Sequence, residues 1–124
     1  MNNKTITVVV LGASAKHNRY SNMAVKSLLE HNYNVIPVNP AEIEIHEIKS
    51  VTSLDKITVN VDLLTMYVNP KRSEGLTEEI LSLNPKKIIF NPGTENPTLE
   101  KKCATKKIET ERACTLILLN TGIL

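Results

Sequence analysis

The stretch Ile6-Thr7-Val8-Val9-Val10-Leu11-Gly12-Ala13-Ser14 decides how this chain is read. Its aliphatic run shows no polar alternation, which is the pattern of a strand covered on both faces in a parallel sheet. Gly12-Ala13-Ser14 stops the strand, and residues 15–20 make a polar loop. Ser21 or Asn22 is then placed to N-cap a helix reaching about residue 31. Ala24, Val25 and Leu28 give that helix an apolar face, with Lys26 and Glu30 outside. A buried strand, a glycine turn and an amphipathic helix together open a β-α-β unit.

The same alternation continues along the chain. Residues 34–39, Asn-Val-Ile-Pro-Val-Asn, read as a second strand, although Pro37 lacks a backbone donor and argues against a central position. Residues 42–51 are ambiguous, an excursion or an edge strand, and residues 53–56 read as one helical turn. Residues 61–68 read as a third strand, and a helix opened by Asn69-Pro70 carries Leu76, Ile80 and Leu83 at helical spacing. Residues 87–90 form a fourth strand. Residues 97–107 form a helix with Leu99 and Cys103 inward, and residues 108–113 a weaker fifth strand. The apolar segment 114–119 reads as a short closing helix. The expected fold is α/β: a three-layer Rossmann-like arrangement with a mainly parallel five-stranded sheet and right-handed crossovers.

Composition narrows the function classes. A length of 124 residues fits one domain, 1–124, with a core of Ile, Val and Leu, since there is one Phe and no Trp. A formal charge of +2 with interspersed Lys and Glu does not suit a nucleic-acid partner. No segment approaches the ~18–20 apolar residues of a membrane span. The opening Met1-Asn2-Asn3-Lys4 leads into an apolar run too short for a secretory signal. Cys103 and Cys114 make no disulfide framework, so the expected setting is the reduced cytoplasm. The apolar tail 116–124 could pack on its own domain or on a second copy, as in a homodimer.

In an open parallel sheet, ligands bind outside the carboxyl ends of the strands. Four loops fall there: residues 12–21, Asn39-Pro40, residues 67–70 and residues 91–95. The first is the most informative. Gly12 permits a sharp turn and close approach of a phosphate, the N–H groups from Ser14 onward can donate to an anion, and Lys16, His17 and Arg19 add positive charge. The three-glycine dinucleotide fingerprint is absent, and the second strand ends in Asn39 where a ribose-binding acid would stand. Both features count against an NAD(P)-binding domain. Tyr67 could stack on a base or line the rim. His31 and His46 read as surface residues and Cys103 as a packed thiol. Cys114 is a packed thiol or, at a helix start, a reactive one. No nucleophile–base pair follows from spacing.

Five ordered motifs resemble a known family. They are Val10-Leu11-Gly12-Ala13-Ser14 with Arg19-Tyr20-Ser21, residues 35–40, Tyr67-Val68-Asn69-Pro70, residues 91–96 and Ala113-Cys114-Thr115-Leu116. Together they look like the small bacterial CoA-binding domain proteins, related to the first domain of the succinyl-CoA ligase alpha subunit. The resemblance implies coenzyme A as cofactor. It implies that Gly12, Ala13, Ser14, Arg19 and Ser21 surround the phosphates and that Asn39 and Pro40 border the adenosine. Tyr67, Val68 and Asn69 would line the middle, and Asn91, Pro92, Gly93 and Thr94 would approach the pantetheine. The ligase subunit carries a lysine after the second strand; Glu42 and Glu44 stand there in this chain, so Lys16, Arg19 or Arg72 would substitute. Without the ligase's second domain and ATP-grasp partner, a non-catalytic binding or regulatory module is the expected role. The alternatives are an NAD(P)-binding domain, or an enzyme acting on a CoA thioester through Cys114 or His17.

Overall fold

The computed structural model describes residues 5–124; the opening Met1-Asn2-Asn3-Lys4 lies outside them. Five parallel strands form one sheet: β1 (Thr7–Leu11), β2 (Asn34–Val38), β5 (Leu63–Met66), β6 (Lys87–Phe90) and β7 (Glu109–Arg112). Their spatial order is β2-β1-β5-β6-β7. Two short strands, β3 (Glu44–Ile45) and β4 (Ile48–Lys49), make a separate antiparallel hairpin. The helices are α1 (Tyr20–Glu30), α2 (Pro70–Gly75), α3 (Thr77–Leu83), α4 (Pro97–Thr105) and α5 (Thr115–Asn120). A single 3-10 turn at Leu54–Lys56 fills the predicted helical turn.

Strand pleating builds a core on each side of the sheet, which makes the three-layer Rossmann-like fold expected from the sequence. Val9, Leu11, Leu64, Met66, Ile88 and Phe90 face one layer, where Ile80, Leu99 and Cys103 meet them. Val8, Val10, Leu63 and Ile89 face the other, against Val25 and Leu28 of α1 and Leu119 of α5. Every residue of β1 and β5 is buried, as their position inside a parallel sheet requires.

The details differ from the sequence expectation where tertiary contacts decide. Pro37 sits on β2, which is an edge strand of the sheet, and Val10 is its register partner. The absent donor therefore costs no central ladder bond. The predicted helix from Pro70 is broken in two. Gly75 weakens its middle, and the Thr77 hydroxyl donates to the Ser73 and Glu74 carbonyls at 3.3 and 2.9 Å, taking over acceptors that end α2. Helix α1 begins at Tyr20, with Arg19 at the N-cap position and no side-chain cap. Ser21 and Asn22, predicted as caps, are buried within its first turn. Segment 42–51 resolves into the β3–β4 hairpin, pinned by buried Ile45 and by Ser50, whose hydroxyl donates to the Ala41 carbonyl and accepts from the Ile43 N–H.

Strand β1 has β2 on one side and β5 on the other, so the chain's winding reverses between β1 and β5. That reversal opens a crevice at the carboxyl ends of these two strands. No helix among the described residues is long and apolar enough to cross a membrane.

Candidate functional site

A cleft of about 370 Å³ occupies that crevice, lined by Gly12, Ala13, Ser14, Lys16, Arg19, Tyr20, Ser21, Asn39 and Tyr67. Strand β1 delivers the loop, and its neighbours hold it. The N–H groups of Gly12 and Ala13 both donate to the Val38 carbonyl at 3.2 and 3.0 Å. The Asn39 side chain donates to the Ala13 carbonyl, and the Asn22 side chain to the Ser14 carbonyl, each at 2.8 Å. Two amides thus bind carbonyls that would otherwise repel an anion. The Ser14 hydroxyl accepts the Lys16 N–H at 3.1 Å.

The donors that remain are the chemically useful ones. Among the described residues, the backbone N–H groups of Ser14, Tyr20 and Ser21 have no acceptor, and no side chain caps α1. Lys16 and Arg19 are exposed and form no ion pair among those residues. An uncapped helix start, loop amides and two unpaired cations make an anion cradle. Gly12 closes its floor, with φ +92° and the Tyr67 carbonyl directly beneath.

The other predicted positions divide. Pro40 follows Asn39 on the exposed rim but does not line the cleft. The Asn39 amide is engaged at both ends, since its oxygen also accepts the Ala41 N–H at 2.8 Å. Val68 is buried and packs in the core beneath the loop. Asn69 caps α2 by accepting the Arg72 N–H at 2.9 Å, and Arg72 is exposed on that helix, outside the cleft. Asn91 and Thr94 are buried, while Pro92 and Gly93 form an exposed tip. Asn91 donates to the Thr65 hydroxyl and the Met66 carbonyl and accepts from the Thr115 N–H, so its side chain braces strand ends. His17 packs edge-on to His46, and neither His17 nor Cys114 lines the cleft. Cys103 is buried in the core as expected, where burial pushes its thiol pKa up.

Asn22 and His46 differ from expectation. Asn22, one of two cap candidates with Ser21, braces the loop instead. His46, expected at the surface, is half-buried with Nε2 2.8 Å from Asn22 Oδ1. No periodicity marks either residue.

Tyr67 lines the cleft, but its hydroxyl is buried without a hydrogen-bond partner. The nearby Thr65 and Thr115 hydroxyls bond each other at 2.8 Å. Burial pushes the Tyr67 pKa up to about 12, against a smaller downward pull from Thr115 and Thr65. Above pH ~10 the unfolded phenol loses its proton while the folded one keeps it. Stability therefore falls between about pH 10 and 12, by up to about 2–3 kcal/mol from this residue. Tyr67→Phe should flatten that loss and raise stability at neutral pH by about 1 kcal/mol, because it removes an unsatisfied hydroxyl. Paired urea titrations of both proteins at pH 7, 10 and 11.5 check this; parallel curves would refute it.

The CoA binding domain family matches residues 6–120 of this chain. The chain belongs to that family. The uncharacterized protein YneT of Bacillus subtilis (strain 168) is 32% identical over 74 residues, 60% of this chain and 55% of YneT. The chain thus matches only about half the length of that relative. A crystal structure of an uncharacterized protein superposes with a TM-score of 0.86 at 35% identity, covering 98% of this chain and all of that one. An acetyl-coenzyme A synthetase of Ca. Korarchaeum cryptofilum, in complex with phosphate and ADP, shares the fold. The TM-score is 0.72 at 18% identity, over 84% of this chain and 25% of the synthetase.

Proposed function

We propose that the cleft at the β1–β5 crevice holds coenzyme A or an acyl-CoA by its phosphates, as a binding or regulatory module that leaves the ligand chemically unchanged. The observation that carries this reading is the set of unpaired N–H groups at Ser14, Tyr20 and Ser21 beside the free cations Lys16 and Arg19. Such a set favours a diphosphate over a neutral ligand. A volume of about 370 Å³ lies at the low end for a ligand pocket, so it suits the phosphates with part of the nucleoside. The pantetheine arm would extend along the strand tips toward Tyr67 and the loop 91–94. Asn39 favours CoA over NAD: both ends of its amide are engaged, and it carries no carboxylate for a ribose diol.

Arg19 offers the cleanest test, because it is exposed and its side chain makes no bond that folding needs. Arg19→Ala should weaken coenzyme A binding by about 1.5–3 kcal/mol, roughly 10- to 150-fold, with the melting temperature of the free protein unchanged. Isothermal titration with coenzyme A, acetyl-CoA, NAD and NADP checks the first point, and thermal unfolding without ligand checks the second. Coenzyme A at about 100 times its Kd should stabilise the wild-type protein by about 2.7 kcal/mol. Stabilisation by NAD but not by coenzyme A would overturn the proposal.

A further inference from the structure

We infer that His46, at the tip of the β3–β4 hairpin, positions the anion loop through Asn22 and so sets the affinity of the cleft; the binding part of this inference rests on the coenzyme A reading above. The Asn22 amide donates through Nδ2 to the Ser14 carbonyl, which leaves Oδ1 as an acceptor. His46 Nε2 meets that oxygen at 2.8 Å, so Nε2 carries the proton. The chain of contacts runs from His46 to Asn22 to Ser14, and Ser14 contributes an unpaired N–H to the cradle.

A second tie reaches the middle of the same loop. The His17 ring stands edge-on to the His46 ring, centroids 5.7 Å apart. Residues 15–19 are otherwise exposed, and their own hydrogen bonds are few: the Lys16 N–H to Ser14 Oγ and the Arg19 N–H to the Lys16 carbonyl. The hairpin therefore grips the loop at two points, one on each side of Lys16.

The hairpin's backbone supports the same reading. His46 and Glu47 form its two-residue turn with φ of 49° and 70°. Turns of that hand favour glycine and asparagine, and His with Glu is a costly pair there. Such strain persists when the surroundings over-determine it. Buried Ile45 and the Ser50 bonds fix the hairpin's base, and the bond to Asn22 fixes its tip. A hairpin needed only to cover the β2 edge would not require an imidazole aimed at α1.

The test compares His46→Ala and His46→Gln with wild type, with His46→Asn as a further loss variant suited to the left-handed turn. Coenzyme A titration should show about five- to tenfold weaker binding for His46→Ala and His46→Asn, the size of one lost hydrogen bond. His46→Gln, which keeps a donor, should recover most of that loss. Backbone 15N relaxation of the free proteins should show residues 15–19 more mobile in the two loss variants and restored in His46→Gln. Wild-type affinity in both loss variants, or a loss that Gln does not recover, would overturn the inference. Should wild type bind no coenzyme A, the cofactor reading falls and relaxation alone decides: unchanged loop motion in His46→Asn would refute the positioning role.

Discussion

Gly12→Ala should be destabilised by about 2–6 kcal/mol and should lose measurable coenzyme A binding. Two independent costs add at this position. The backbone holds φ +92°, a region that side chains rarely adopt, which costs about 1–3 kcal/mol. A methyl group would also lie 2.8 Å from the Tyr67 carbonyl oxygen, 2.9 Å from its carbon and 2.9 Å from Val68 Cγ1. The carbonyl cannot swing aside cheaply, because the Tyr67 N–H donates to the Leu11 carbonyl at 2.9 Å and keeps the end of β5 against β1. Forcing the strands apart adds about 1–3 kcal/mol of overpacking. The displaced loop would then misplace Ser14 and the start of α1. Urea unfolding measures the first effect and titration of the folded fraction the second. A stability loss below about 1 kcal/mol would mean that the crevice is looser than these contacts require. Gly93 is a useful control. It has a similar φ of +91°, yet nothing lies within 4 Å of an added methyl group, so Gly93→Ala should show the strain cost alone.

The contrast between these glycines explains what could be read from the sequence. Gly12 follows an unmistakable buried strand, and a strand–glycine–loop–helix order has few structural solutions. The sheet was legible for the same reason: its strands are aliphatic runs separated by helical periodicity and turn residues. Parallel pairing then places the loops after Leu11, Val38, Met66 and Phe90 at one sheet edge. Which loops actually line a cleft was not legible. The crevice forms only where winding reverses, between β1 and β5, and sequence order does not show where that falls. The loop 91–95 accordingly shares the edge without lining the cleft.

The start of α1 shows a further limit. Propensity assigns Ser21 or Asn22 to the cap, since their side chains commonly satisfy orphan N–H groups. In the fold, Asn22 reaches back to Ser14 instead and leaves the helix start open. Local stability is given up where an anion can take over the capping role, and sites of this kind are where sequence rules are expected to fail. His46 was illegible because its partner, Asn22, lies 24 residues away and the hairpin that carries it has only two paired residues per strand.

Asn91→Ala should be destabilised by about 4–6 kcal/mol, yet bind coenzyme A with nearly wild-type affinity when folded. The family resemblance assigns Asn91 to the pantetheine, but its side chain is wholly committed to the protein. Its amide donates to the Thr65 hydroxyl and the Met66 carbonyl at 2.8 Å each, and its oxygen accepts the Thr115 N–H at 2.9 Å. The residue therefore joins the ends of β5 and β6 to the start of α5. Each lost bond costs about 1 kcal/mol, and the Met66 carbonyl and Thr115 N–H would be stranded at a further 1–3 kcal/mol, roughly, between them. For a chain of this length the melting temperature should fall by about 10–20 °C. Thr65→Val should cost less, because the Met66 and Thr115 bonds to Asn91 survive it. If Asn91→Ala instead kept its stability and lost coenzyme A, the side chain would have to turn outward to the ligand. The loop 91–94 would then be a wall of the site rather than its brace.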